Sequence, residues 1–516
     1  MAVLATPTTP AMREPPKRTI TYSRHASFDQ RCQVTQALKQ VHWETMYKLS
    51  YEEQFNFFHD TVSGIINDYL PLKKRVVASN DKPWVTPAFK SLIARRQEAF
   101  TTGDTTLYRR LRNQANREAK SLQSQFYQQS VDRLCDGSSK QWWKTVKSLI
   151  GKSKRDNSLQ NFANSHFNGN IKELSDATND HFASVSSDLE PLTQPVGNPY
   201  SVPDSMIISL EAVEKQLMNI KVTKAPGPDD VPSWILHDLA DVLGKPICAL
   251  FNTSIRESYV PTFWKRADLC PIPKKSPIID LKKDLRPISL TPILSKLLEQ
   301  HLVEHIRSAT PNIDPTQFGG IKASSTSHAL LKIMHPVYKA VDDSKNYARL
   351  LLIDFSKAFD HIDHHTLLGK LQANGAPEIV CKWYENFLHL RQQRVKIGTT
   401  TSGWCSINGG VPQGTISGPE LFVQMVSDIQ PTVTNIKYMD DTTLVETIKK
   451  SDVSQMQHAA DEICTWSSRN KLAINETKTK EMRISFVNQP SLADDITMND
   501  IVMCSKCKTP RGHRKK

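Results

Sequence analysis

This chain should fold as an α+β protein, with helices packed on an antiparallel sheet, and three observations say so. Leu350-Leu351-Leu352-Ile353 is an unbroken apolar run, which suits a strand buried on both faces, and it ends in a carboxylate, Asp354. A second acidic site, Asp440-Asp441, lies between the β-prone runs Asn435 to Tyr438 and Thr442 to Val445, at or near a hairpin tip. Between such strands run amphipathic segments, of which Leu107, Leu111, Ala115, Ala119, Leu122 and Phe126 at helical spacing are one.

With 516 residues the chain should hold more than one domain. Its net charge of +13 favours a polyanionic partner, although a membrane surface would also suit it. No run of 18 apolar residues exists, so no membrane span is expected. Nine cysteines, mostly isolated, fit a reducing intracellular compartment better than a disulfide framework, and the first residues lack the apolar core of a secretion signal.

Residues 1–28 read as a disordered lead-in. Residues 29–150 read as a basic helical region, with Trp43, Phe55, Phe57 and Phe58 as core contacts. Within it a Pro-marked joint, Lys82 to Pro87, opens a helical pair broken at Thr101 to Asp104. Residues 85–134 carry nine Lys or Arg against four acids, which serves either a solvated face or contact with an RNA or DNA backbone. Trp142 and Trp143 should anchor a further helix. Residues 151–205, rich in Ser, Asn, Asp and Pro, read as a linker with one helix near Ile171 to Ser184.

Residues 206–486 hold the chemistry. An amphipathic helix, Ser209 to Ile220, precedes the loop Lys221 to Asp230, from which Lys224 could approach a nucleic-acid backbone. Trp234 to Tyr259 reads as helical. Ala267 to Leu290 reads as a hairpin with Lys274-Lys275 on one arm and Arg286 on the other; by composition alone it is an exposed basic loop. Helices follow at Ser295 to Ser308 and Ser327 to Asp342, the second leading into the Leu350 strand. His361, His364 and His365 suit the surface start of the next helix better than a metal site. A hairpin from Gln393 to Ile407, the glycine segment Gly409 to Thr415 and helices from about Pro419 and from Val453 to Asn470 complete the region. Residues 487–516 read as a basic tail, in which Cys504, Cys507 and His513 offer three zinc ligands where a closed site wants four.

The acidic residues form one constellation. Neighbouring strand residues point to opposite faces, so Asp440 is assigned to share metal with Asp354, and Asp441 to a supporting or second-metal role. Hard divalent cations held about 3.5–4 Å apart by shared carboxylates activate a hydroxyl and neutralise a leaving group.

Asp354-Phe355-Ser356-Lys357-Ala358-Phe359-Asp360, then Gly410-Val411-Pro412-Gln413-Gly414-Thr415, then Tyr438-Met439-Asp440-Asp441 resemble, in that order, the palm motifs of reverse transcriptases of non-LTR (LINE-like) retrotransposons. The resemblance spans roughly Ser209 to Met482. It implies a right-hand polymerase palm and fingers and an RNA-directed DNA polymerase using an RNA template, a DNA primer and dNTPs. It implies two Mg²⁺ ions, with Mn²⁺ as the substitute, at Asp354, Phe355, Asp440 and Asp441. By the same resemblance Arg286 and Lys275 meet the triphosphate, Phe359 is a steric gate against a ribose 2′-hydroxyl, and Gln413 and Gly414 face the nucleotide. Lys478 resembles a lysine that protonates departing pyrophosphate, and Lys224 and Tyr438 belong to the template–primer side. Asp230 stands where the family has glycine, and Thr415 where it has serine. No counterpart of an endonuclease or of a thumb is found, so a second reading is a truncated, inactive relic that binds nucleic acid through its basic charge. An RNA-dependent RNA polymerase is a third reading, against which Phe359 argues.

Overall fold

The computed structural model describes residues 18–24, 26–78, 82, 84–135, 142–143, 146–147, 158–193, 195, 201–311, 313–342, 346–449, 451–485, 495–499, 501–502 and 505–508. The chain divides into two compact units, one of residues 1–25 and 72–159, the other of residues 26–71 and 160–516.

The smaller unit pairs strand Arg18–Ser23 antiparallel with strand Lys73–Ala78, Arg18 opposite Ala78. The end of the expected disordered lead-in is therefore a strand: alternation in Thr-Ile-Thr-Tyr finds its partner some fifty residues later. The expected helical pair is present as helices Pro87–Thr101 and Thr105–Cys135. Thr86 caps the first by accepting from Phe89 N at 3.1 Å, with proline in the first turn where its missing N–H costs nothing. Asp104 caps the second by accepting from Leu107 N at 2.8 Å. Phe89, Leu92 and Ala99 bury against Leu111 and Ala115.

The larger unit begins with helices Phe28–Lys39 and Tyr51–Tyr69, whose starts carry the capping boxes Ser27/Gln30 and Ser50/Glu53. Phe55 packs edge-on to Trp264 with ring centres 5.3 Å apart, and Val34, Leu38, Phe58 and Val62 enter the same core. The expected single basic region 29–150 is thus two things: its first forty residues belong to the larger core. The helix expected within the linker is present at the expected residues, but it belongs to the core. Helix Ile171–Ser184 packs on strand Gln392–Ile397, Phe182 lies against Ala267, Leu269 and Val395, and Asn179 Nδ2 donates to Gly403 O at 3.0 Å. Its buried face is Leu174, Ser175, Thr178 and Asn179, too polar to read as core from composition.

Two five-stranded sheets follow. One orders strands Leu285–Leu290, Arg266–Pro273, Gln392–Ile397 and Thr400–Thr401, with Cys405–Ser406 also on Gln392–Ile397. The other orders Ser505–Lys508, Lys480–Ser485, Asn346–Ile353, Asp441–Lys449 and Thr434–Tyr438. Helix Thr326–Asp342 sets Ala329, Val337 and Ala340 on one face of this sheet, against Ala348, Leu350, Ile436 and Val445. Leu351, Ile353 and Leu444 point the other way, into the main core with Phe422, Leu367 and Val380. Alternation therefore buries the apolar run on both faces, except that Leu352 is 39% exposed.

Most expected helices are present within a few residues, including Leu210–Met218, Ile293–Ala309, His364–Ala373, Ser417–Val426 and Met456–Arg469. The segment from Trp234 is two helices, Ser233–Asp238 and Ala240–Arg256. Asp230 has φ +51°, the left-handed conformation that glycine favours and aspartate tolerates, so the loop keeps its turn.

The expected basic tail is ordered in part. Ile496 and Met498 are buried, Gln457 on helix Met456–Arg469 exchanges hydrogen bonds with Thr497, and Ser505–Lys508 runs parallel to Lys480–Ser485. Cys504 and His513 lie outside the described residues. Among the described residues no helix is long and apolar enough to cross a membrane.

Candidate active site

Register assembles the carboxylates. Thr442 stands opposite Ile353 on adjacent antiparallel strands, so Asp441 and Asp440 come level with and just beyond Asp354. Strands in such a pair lie about 5 Å apart, well within reach of a shared ligand. Tyr438 pairs with Asp441, leaving Met439 and Asp440 as the two-residue tip. Burial first, and then the charge of Asp354, push the Asp440 carboxyl above its ordinary range. Asp441 is raised by burial and by the charges of Asp440 and Asp354. These three groups feel one another, as a cation site requires.

A side-chain-bearing residue at positive φ is costly, and Met439 has φ +57°. It is held there by Gln317, whose Oε1 accepts from Met439 N at 3.0 Å and Gly319 N at 2.9 Å. Gly319 lies so close beneath the tip that an added Cβ would stand 2.5 Å from Met439 N. Next to the tip, Lys437 is fully buried, ion-paired to Asp314 at 2.7 Å and donating to Val426 O and Ile429 O. Sequence reading missed this pair, because nothing local marks a strand lysine as buried. Gly319→Ala should push the tip away from Asp354 and lower any activity there by about 10²-fold, the scale of a 1 Å misplacement. Equal turnover in the variant would contradict it.

Cations stand across from the carboxylates. Lys478 Nζ lies 2.9 Å from Asp354 Oδ2. The charges of Lys478 and Arg286 both act on Asp440. Burial, and then Arg286 and Lys478, pull Lys274 below its ordinary range, so these three cations crowd one position with Asp360 nearby. Lys275 turns away: its Nζ pairs with Asp284 Oδ1 at 3.1 Å, and the N–H groups of Asp280 and Ile279 hold that carboxyl at about 2. Lys274 Nζ donates to Lys283 O at 3.0 Å, while its charge is felt with those of Arg286 and Lys478. Lys224 is exposed, and its charge acts on Lys296.

Between sheet and cations lies the glycine segment. Gln413 O accepts from Ser289 N at 2.7 Å, which ties the Arg286 strand to this loop. Gly414 has φ +116° and Ser289 O 2.7 Å from where a Cβ would be, so only glycine fits. Gln413 Nε2 donates to Asp360 Oδ1 at 2.8 Å, and burial pushes that carboxyl up to about 6. Phe359 stacks on Phe422 with ring centres 4.5 Å apart and stays half-buried; its carbonyl accepts from Val411 N at 2.7 Å. Phe355 is buried against Trp466, while Tyr438 is half-buried beside the tip.

The three histidines disperse: His361 Nε2 meets Asp188, His364 Nε2 donates to Gly410 O at 2.8 Å, and His365 Nε2 to Pro191 O. Among the described residues no group of three or more His, Cys, Asp or Glu side chains closes on one ion position, since Asp354 is turned onto Lys478. The donor set is still that of a hard cation: three carboxylates, two raised by burial and then by their neighbours' charge, at the open end of a sheet.

Residues 272–502 match the family model described as reverse transcriptase (RNA-dependent DNA polymerase). This segment is a reverse transcriptase domain. The chain is similar to the RNA-directed DNA polymerase from mobile element jockey of Drosophila melanogaster, 26% identical over 308 residues, 57% of this chain and 33% of that protein. The Drosophila funebris jockey polymerase is 25% identical over 494 residues, 85% of this chain and 52% of that one. The probable RNA-directed DNA polymerase from transposon BS of Drosophila melanogaster is 23% identical over 440 residues, 79% and 45% of the two chains. The chain spans a third to about half the length of these relatives. The reverse transcriptase domain thus takes in both strands of the tip, Asp354, Arg286 and Lys478, and runs past Met482, where the sequence resemblance faded.

Proposed function

We propose that this chain is an RNA-directed DNA polymerase of a non-LTR retrotransposon, adding dNTPs to a primer 3′-hydroxyl on an RNA template. The single observation that carries it is the register that sets Asp440 and Asp441 beside Asp354, facing Arg286 and Lys478. Asp354, Asp440 and Asp441, with the backbone of Phe355, would hold Mg²⁺, which when bound acidifies a primer hydroxyl and neutralises charge on pyrophosphate.

The chain's own residues do the rest. Arg286 grips triphosphate oxygens bidentately, with Lys274 a point charge beside it. Lys478, a cation within reach of Asp354, gives its proton to the departing pyrophosphate. Phe359, backed by Phe422, fills the space of a ribose 2′-hydroxyl. Gln413 holds Asp360, and Gly414 lets the loop lie against the Arg286 strand, so cations and carboxylates keep one spacing. Tyr438 stands on the template–primer side of the tip. Six free cysteines among the described residues suit a reducing, intracellular setting.

The test is primer extension by purified chain, with a DNA primer on an RNA template and Mg²⁺. Extension with dNTPs that Asp440→Asn abolishes supports the reading; equal extension by the variant, or none by wild type, overturns it. Phe359→Val should raise use of NTPs relative to dNTPs by roughly tenfold or more, the scale of a few methylenes in a pocket. Wild-type preference for NTPs would favour an RNA polymerase instead.

A further inference from the structure

Helix Thr105–Cys135 of the smaller unit buries one face, where Leu111 and Ala115 meet Phe89, Leu92 and Ala99. At 100° per residue, that face is centred opposite an arc running from Thr106 to Gln128. The arc carries four cations, Arg109, Arg110, Arg117 and Lys120, all exposed. Its other positions are neutral and mostly polar, such as Asn113 and Ser124, and none is acidic. Of the acids nearby, Asp104 caps the helix start in line with the buried face, and Glu118 and Asp132 fall at one flank. Among the described residues none of the four cations pairs with a carboxylate, although the helix offers two, Glu118 and Asp132. An ordinary solvated helix interleaves signs and gains from i,i+4 pairs. Here the four cations share one acid-free face over residues 109–120, about 17 Å at 1.5 Å per residue.

From this surface we infer that the helix is a nucleic-acid-binding arm, which lies along the sugar–phosphate backbone of RNA or DNA without reading sequence. Arginine grips phosphate oxygens in pairs, and amides and hydroxyls between the cations suit sugar and phosphate oxygens. An acid-free face avoids the repulsion that an acidic side chain would set against the backbone. The unit has its own core, so the arm binds whether or not the polymerase site turns over.

Binding of fluorescent single-stranded RNA, of DNA of the same sequence and of an RNA duplex to the full chain is measured by anisotropy across a salt series. The variant Arg109→Gln, Arg110→Gln, Arg117→Gln and Lys120→Gln should bind at least tenfold more weakly. Its slope of log affinity against log salt should fall by roughly 3, at about 0.7 per phosphate contact. A charge-matched control, with Lys39, Lys48, Lys215 and Lys339 changed to Gln, should lose less than about threefold if the loss follows contact rather than net charge. Unchanged circular dichroism and melting exclude misfolding, since all four positions are exposed. The RNA and DNA arms decide which backbone is preferred. If variant and control bind alike, the arm is a solvated face and the proposal is overturned. Asp440→Asn protein should bind as wild type does, so loss of extension and loss of binding are separable.

Discussion

Asp440→Asn should lower primer extension by about 10³-fold or more while leaving the fold as stable as before, or more so. A carboxylate at a cation site contributes several kcal/mol of charge stabilisation, and each 1.36 kcal/mol is tenfold in rate. The stability half follows from linkage. Burial and Asp354 raise the folded carboxyl above its unfolded value. The folded state then binds protons that the unfolded chain has released, so the Asp440 charge costs stability as pH rises through the folded value, and costs nothing at low pH. Asparagine removes that cost. The melting temperature of the variant should therefore match wild type in acid and equal or exceed it above neutral pH. A variant that melts earlier at pH 8 would mean that Asp440 is a structural group and not a strained functional one.

Glu481→Gln should destabilise the larger unit by about 3–5 kcal/mol, the range for breaking a buried ion pair on one side. Glu481 is 1% exposed and sits on the strand beside the Asp354 strand, opposite Leu351. Its carboxylate meets Arg349 at 2.7 Å and Arg483 at 2.8 Å, and Arg349 also donates to Ser454, which donates to Glu446. Losing one charge leaves guanidinium groups facing it inside the sheet with no water to replace it. Chemical denaturation should show the lower midpoint. The double variant Arg349→Met with Glu481→Leu should recover much of the loss, because charge and counter-charge leave together. If the single variant costs under about 1 kcal/mol, the pair is behaving as a surface ion pair.

The acidic constellation was legible because its parts are local. An apolar run ending in Asp354, an acidic tip between two β-prone runs, and a glycine loop each state their geometry within ten residues. The place of Asp440 at the turn between its two β-prone runs followed directly, while their pairing with the Leu350 strand came from the fold. Where two neighbouring residues shared a chemistry, locality failed. Lys274 and Lys275 are equivalent on paper, and the fold gives them different partners, Lys283 O for the first and Asp284 for the second. Gln413 had an amide to offer a substrate, but Asp360 accepts it.

Larger misreadings have one cause. Residues 151–205 look like a linker holding one helix, yet that helix, Ile171–Ser184, is core: Asn179 is buried because Gly403, over two hundred residues away, accepts its amide. Residues 29–71 joined the basic region by proximity in sequence, whereas Phe55 belongs to Trp264.

By itself, then, the chain's order of residues determined which strands and turns would carry acid, glycine and cation, since backbone preference and side-chain alternation act over a few positions. Only tertiary packing decided which cations face the carboxylates, that Gln317 and the buried Lys437–Asp314 pair brace the tip, and which polar helix is core. The physical reason is that a charge or amide is satisfied by whatever stands within about 3 Å of it, and that neighbour is set by distant parts of the chain.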